Sequence, residues 1–373
     1  MATLLSRSSD SPRYSLQDIE LARFDSASPS ILSAPPPYEE PASRPFRPTV
    51  HLQIETLGKP WFSTPLPPRP DPIPVFALHP DDSSSSAAAH APQFTSIRPW
   101  RSSGSCYLTP YDTTTTTTAS SSSAAGIPVL STTTYRFGPN RPPRVRLFAP
   151  HSAPLSPAAL EALLLSAKDA ATIPDPEEDG QPVQQPPQPW DEFAITSAGL
   201  LTRAVTFRTR LGTFQWRYAS RRERLQQQQQ QEQQDGDKIS SLLVLERVVR
   251  VARARNLPPT TSTTTSTSFP GLLLRRHQHE DEEVRTTVAH FVRGAATRTA
   301  GSSVASAGNG GRLVLDLGLW GEGEECGGGE DAKVAREMAV VMAVTTCLVM
   351  LKREVDRRRA QQMATMAHGG GGP

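Results

Sequence analysis

The stretch from Met338 to Leu351, MAVVMAVTTCLVML, constrains this chain more than any other part of it. It holds no Pro and no Gly, and Ala, Met and Leu favour helix, so a helix is predicted here. On a 3.6-residue wheel its apolar positions cover every side. A helix apolar all round is either a core helix or a membrane span. Length separates the two. Fourteen residues rise about 21 Å, whereas a bilayer core of about 30 Å needs about 20 residues. Arg336 and Glu337 close one end, and Lys352 and Arg353 the other. The expectation is a buried helix with the rest of the folded chain wrapped around it.

The segments before it read as short strands. Val50, Leu52 and Ile54 alternate with polar residues, as in a half-buried strand. Strand character recurs at Val75–Leu78, Phe94–Ile97, Cys106–Thr109, Val129–Phe137 and Arg144–Phe148. Between Trp190 and Tyr218, apolar alternation broken at Ala198-Gly199 and Leu211-Gly212 reads as an antiparallel meander. Ser241–Ala252, Val284–Phe291 and Leu313–Leu317 continue the series; β-branched content favours strand over helix at Ser241–Ala252. Many antiparallel strands followed by one wholly apolar helix point to a mainly β fold. Its form would be a closed antiparallel β-barrel around a central C-terminal hydrophobic helix.

Composition then limits how much of the chain can fold. The 373 residues include 36 Pro and 24 Gly, with Ser, Thr and Gln tracts besides. Such tracts cannot bury enough apolar surface to offset ordering entropy. Residues 1–45 read as a disordered Pro/Ser-rich tail, 46–352 as the barrel, and 353–373 as a basic helical extension with a Gly-rich end. Insertions are expected at about 81–92, 110–126, 150–189, 221–239, 257–270 and 321–331. The third carries a helix opened by Ser156-Pro157, and the fourth, with six consecutive Gln, reads as a loop.

The residues from Trp190 to Ser197, Val205 to Arg208 and Leu211 to Tyr218, the turn and strand Gly308–Asp316, and the final apolar helix resemble the tubby C-terminal-like superfamily. That superfamily includes tubby proteins, phospholipid scramblases and LURP-one-related proteins. The resemblance runs discontinuously over residues 48–352 and implies a twelve-stranded barrel around a central helix. It transfers no catalytic site. Tubby proteins use basic residues of this fold to bind phosphoinositide headgroups. The long polar insertions and the basic extension after Leu351 depart from the usual pattern.

Little catalytic chemistry is visible. The GxSxG, HExxH and GxxxxGK[ST] patterns are missing, and Gly308-Asn-Gly-Gly precedes a strand rather than a helix. His277-Gln-His279 with Glu280 to Glu283 has metal-binding side chains without ligand spacing, so it reads as a solvated charged turn. No enzyme activity, cofactor or metal is expected. The net charge of +2 gives no global nucleic-acid signature. Three cysteines without a CxxC and an N-terminus without a signal-peptide core point to an intracellular, cytoplasmic protein, peripheral at membranes if bound there.

Local basic content is more informative. Residues 191–224 carry seven Arg against three acidic residues, a surplus of four. Arg203, Arg208, Arg210 and Arg217 are the candidate lipid-binding residues, since guanidinium groups gathered on one face can bind phosphate; a solubilising outer face is the alternative. In the tail, Pro35-Pro36-Pro37-Tyr38 is a PPxY pattern, whose Pro35, Pro36 and Tyr38 suit the aromatic groove of a WW domain. The expected function is a non-enzymatic binding or scaffold protein whose candidate ligand is anionic membrane phospholipid. The alternatives are an adaptor recruiting WW-domain proteins and a scramblase-like lipid protein.

Overall fold

The computed structural model describes residues 44–61, 63, 71–78, 91–100, 103–111, 126–135, 141–165, 188–199, 202–231, 239–251, 282–320 and 329–369. The first six strands are β1 (Val50–Ile54), β2 (Ile73–Leu78), β3 (Phe94–Ile97), β4 (Cys106–Pro110), β5 (Ser131–Thr134) and β6 (Arg144–Leu147). A short helix α1 (Pro157–Leu165) follows, with the Ser156 hydroxyl accepting from the Ala159 amide as its cap. Then come β7 (Asp191–Ala194), β8 (Thr196–Ser197), β9 (Val205–Thr209) and β10 (Gly212–Tyr218). After helix α2 (Arg221–Gln231) come β11 (Ser241–Val251), β12 (Glu282–Arg293), β13 (Gly311–Leu315) and the final helix α3 (Glu330–Gly369).

All thirteen strands belong to one antiparallel sheet, in the order β7-β6-β5-β4-β3-β2-β1-β13-β12-β11-β10-β9-β8. Its two edges, β7 and β8, are consecutive in the chain and separated only by Ile195. The segment Asp191–Ser197 is therefore one bent strand. Its first half pairs with β6 and its second half with β9. Ile195, 1% exposed, turns its side chain into the core, and its amide donates to the Pro143 carbonyl at 3.0 Å. Across the seam the Phe193 and Phe207 rings stack at 5.2 Å, and the Arg210 amide donates to Asp191 Oδ2 at 2.7 Å. The sheet is thus a nearly closed barrel in which a single strand serves both edges, a common way of removing exposed edge groups.

The expected strands occur close to where alternation placed them. Inward parity runs through Leu52 and Ile54, Phe214 and Trp216, Leu243 and Leu245, and Leu313 and Leu315, all at 0% exposure. These side chains form one cluster with Met338, Met342, Val344, Cys347 and Leu351 of α3. The apolar helix is long and apolar enough to cross a membrane by length and composition, yet 72% of its most apolar 18-residue window is buried in the protein. Two threonines interrupt that surface. Thr346 Oγ1 accepts from Trp216 Nε1 at 2.9 Å, and Thr345 Oγ1 shares a 2.7 Å hydrogen bond with Ser131 Oγ on β5. Consecutive helix positions point about 100° apart, so these bonds to β10 and β5 set the rotation and depth of α3.

Two expectations need correction. The stretch expected as a loop at 221–239 begins with α2, a helix over Arg221–Gln231. Ser220 and Glu223 form a capping box: the Glu223 amide donates to Ser220 Oγ at 3.2 Å, and the Ser220 amide to Glu223 Oε2 at 2.7 Å. Leu, Arg and Gln are good helix formers and continue it. Helix α3 is also longer than its apolar stretch. It has 40 residues, about 60 Å at 1.5 Å per residue. It begins at Glu330, in what was expected as an acidic loop, while its continuation past Leu351 is the helical extension expected over 353–373.

Candidate functional site

Because neighbouring strands alternate in direction, six connections gather with the outgoing part of α3 at one end of the barrel, termed here the exit end. Glu354, three residues beyond the apolar stretch, anchors the helix there. Arg293 at the end of β12 holds it with a two-pronged ion pair, Nη2 to Oε1 at 2.7 Å and Nη1 to Oε2 at 2.9 Å. The Tyr218 hydroxyl donates to the same carboxylate, as does the Gly308 amide at 3.0 Å. Arg293 Nη1 also donates to Asn309 Oδ1 at 3.0 Å. Both ionic side chains are nearly buried, at 7% and 10% exposure. Burial pushes the Glu354 carboxyl up, but the charge and hydrogen bonds of Arg293, with those of Tyr218 and Gly308, outweigh it and leave the pKa below its ordinary value.

Gly308 explains why a glycine run stands at this point. Its φ is +69°, and a Cβ there would lie 2.6 Å from the Leu351 carbonyl oxygen and from Val355 Cγ2. The loop backbone therefore lies directly on α3, an approach only glycine allows.

Beside this anchor lies an open cleft of about 510 Å3, lined by Thr202, Arg203, Ala204, Arg217, Tyr218, Ala219, Arg224, Ser241 and Leu242. Three of its nine lining residues are arginines, and they do not stand alike. Arg217 is committed to carboxylates: its Nη groups meet Glu223 at 2.6 and 2.9 Å, and Nε and Nη2 meet Glu246 at 2.9 and 2.6 Å. Hydrogen bonds from Arg217 lower the Glu223 pKa to about 2 against a smaller opposing effect of burial. Arg203 is exposed, with its guanidinium 5.8 Å from the Tyr218 ring centre. Arg224 donates through Nη1 to the Ser240 carbonyl at 3.3 Å, while its buried Nε has no hydrogen-bond partner among the described residues.

Arg208 and Arg210 stand elsewhere. Both are exposed, Arg208 on β9 and Arg210 in the β9–β10 turn, with the Arg210 guanidinium 5.7 Å from the Trp190 ring centre. Seven residues of extended chain, about 23 Å, separate Arg210 from Arg203. The four candidate arginines therefore divide into two at the cleft and two at the opposite end. The cleft's third arginine, Arg224, comes from α2, which alternation along strands could not place.

The chain matches no protein-family model, no curated protein and no solved structure.

Charge is unevenly divided between the two ends. Over the described connections of the exit end, together with α3 from Lys352 onward, there are thirteen basic residues. These are Lys59, Arg98, Arg141, Arg203, Arg221, Arg222, Arg224, Arg298, Lys352, Arg353, Arg357, Arg358 and Arg359. Against them stand five acidic ones, Glu55, Asp71, Glu223, Glu354 and Asp356, a surplus of eight. Among the described residues of the other end, Arg44, Arg47, Arg210, Lys333 and Arg336 are balanced by Glu161, Asp316, Glu330, Asp331 and Glu337, five against five. Net charge of +2 for the chain hides this polarity. The helix extension is docked as well as basic. Lys352 pairs with Asp356 at 2.6 Å and lies 4.4 Å from the Tyr135 ring centre, and Arg353 donates to Ser197 Oγ at 2.9 Å.

Among the described residues no group of three or more His, Cys, Asp or Glu side chains is placed to hold a metal ion. His277 and His279 lie outside the described residues, as do Pro35, Pro36 and Tyr38 of the PPxY motif. Cys106 and Cys347 are free thiols.

Proposed function

We propose that this chain is a non-enzymatic binding protein that meets anionic membrane phospholipid through the exit end of its barrel. One observation carries the reading. Three arginines line one open cleft at the end of the barrel where the described residues carry a surplus of eight positive charges. Arg217 is neutralised by its two carboxylates, so Arg203 and Arg224 are the groups that reach a phosphate, with Arg217 fixing the wall between them. Guanidinium groups are weakly hydrated and fork-shaped, which suits phosphate oxygens. Membership of the tubby C-terminal-like superfamily belongs to the same proposal; a barrel closed around a C-terminal apolar helix supports it. A scramblase-like role is less favoured, because α3 would have to exchange its contacts with the barrel core for lipid.

Flotation of the full chain with phosphatidylcholine vesicles, with and without phosphoinositide, tests this. The expected result is flotation that requires the anionic lipid at physiological salt. Equal recovery in its absence, or none with it, contradicts the proposal. The Pro35–Tyr38 motif supports a second reading, in which the tail recruits WW-domain proteins. Tyr38→Ala then abolishes capture by an isolated WW domain, whereas unchanged capture excludes it.

A further inference from the structure

Among the described residues eight large apolar side chains are exposed, and five of them belong to neighbouring segments at the exit end: Leu57, Trp61, Val304, Met363 and Met366, each between 48% and 65% exposed. The segments are held together by specific contacts. The loop carrying Leu57 and Trp61 bridges to the loop carrying Val304 through Lys59 and Ala307, with amide-to-carbonyl distances of 2.7 and 2.9 Å. The outgoing part of α3 is fixed to Trp61 in turn. The Arg358 guanidinium lies 4.3 Å from the Trp61 ring centre, and Gln362 Nε2 donates to the Trp61 carbonyl. Met366 is four residues beyond Gln362 and eight beyond Arg358, so it continues the stripe of α3 that faces Trp61. Met363 stands beside that stripe.

Resting on the reading of the exit end as a surface for anionic phospholipid, we infer that this apolar rim enters the membrane. Its occupant is the boundary between headgroups and acyl chains of an anionic bilayer. Charge complementarity selects lipid over an apolar protein partner: among the described residues the rim belongs to the barrel end with eight more cations than anions, whereas cations and anions are equal in number at the other end. Tryptophan with flexible apolar neighbours, framed by arginines, is the composition that partitions into such a boundary. The cleft then meets a headgroup while Trp61, Met363 and Met366 anchor the barrel, with α3 leading. The rim fixes how the protein sits on the surface, which the cleft alone does not.

The test uses the full chain and vesicles of phosphatidylcholine with phosphoinositide, in plain and acyl-brominated forms. Brominated chains quench tryptophan only when the ring reaches them. The expected result is quenching in the wild type that is lost in Trp61→Phe, which separates Trp61 from the other four tryptophans. Met363→Ser with Met366→Ser is expected to weaken vesicle binding on the order of tenfold with an unchanged melting temperature. Vesicle binding without quenching, and with a double variant that binds like the wild type, overturns the insertion and leaves the cleft reading standing. Wild-type protein that binds none of these vesicles overturns both. Self-association in the absence of lipid that the double variant abolishes overturns the inference by assigning the rim to a second copy.

Discussion

Removing the Glu354 side chain should be among the most damaging single changes available to this protein. In Glu354→Ala the Arg293 guanidinium, 7% exposed, loses both carboxylate contacts and keeps only Asn309 Oδ1 and the Phe291 ring, 5.2 Å away. The Gly308 amide and Tyr218 hydroxyl lose their acceptor too. Breaking a buried pair by deleting one partner costs about 3–5 kcal/mol, because the other charge stays desolvated and uncompensated. A domain of ordinary stability has about 5–15 kcal/mol in total. Replacing both partners by apolar residues of similar volume, Arg293→Met with Glu354→Leu, removes the stranded charge and should recover most of that loss. Equilibrium urea unfolding of the wild type, both single variants and the double variant measures the coupling. Single variants within about 1 kcal/mol of the wild type refute the anchor. So does a double variant as unstable as the sum of the singles.

Three further outcomes follow from other contacts. Gly308→Ala places a Cβ 2.6 Å from the α3 backbone at positive φ, and should cost more than the roughly 1–3 kcal/mol of backbone strain alone; a melting temperature equal to the wild type contradicts the close approach. His290, against the Phe46 ring at 4.3 Å, has its pKa lowered to about 4 by burial and by Arg217, with Glu223 and Glu246 acting in the opposite sense. The fold keeps it neutral while the unfolded chain binds a proton near its ordinary value. Stability should therefore fall by about 3 kcal/mol as pH drops from about 6.5 to about 4; His290→Phe should flatten that part of a pH series of urea midpoints, and an unchanged slope contradicts it. Cys347 has 0% exposure, and burial raises its pKa far above the ordinary thiol value. Peptide mapping after thiol labelling should find it modified only at the rate of unfolding, whereas rapid native labelling would mean that α3 is not enclosed.

Much of this architecture is legible in the sequence because a barrel wall is half-buried. Alternation at Val50–Ile54 and at Phe214–Trp216 is a direct print of inside and outside, and the limits predicted for Phe94–Ile97 agree with the structure. The all-round apolarity of Met338–Leu351 likewise requires an enclosing wall, which the structure supplies. Other features left a weaker print. The Gln-rich segment looked like a tract, although Ser220 and Glu223 at capping-box spacing marked a helix start. The polar continuation of α3 carries no apolar repeat, because its anchors are an ion pair, ring stacking and backbone contacts. Strand parity puts Arg208 and Arg210 on one face, and they are both exposed there. It is silent about Arg224, which reaches the cleft from another element, and about Arg217, whose charge is taken up by Glu223 and by Glu246 from a neighbouring strand.

Two paired variants compared in one vesicle-binding titration separate the cleft from the rest of the hairpin as the phospholipid site. Arg203→Gln with Arg224→Gln removes the two cleft guanidiniums that reach a phosphate; Arg208→Gln with Arg210→Gln removes the same charge at the other end of the hairpin. The first pair should lose binding to phosphoinositide vesicles, and the second should bind like the wild type. Equal losses in the two pairs, or loss only in the second, would contradict the cleft as that site.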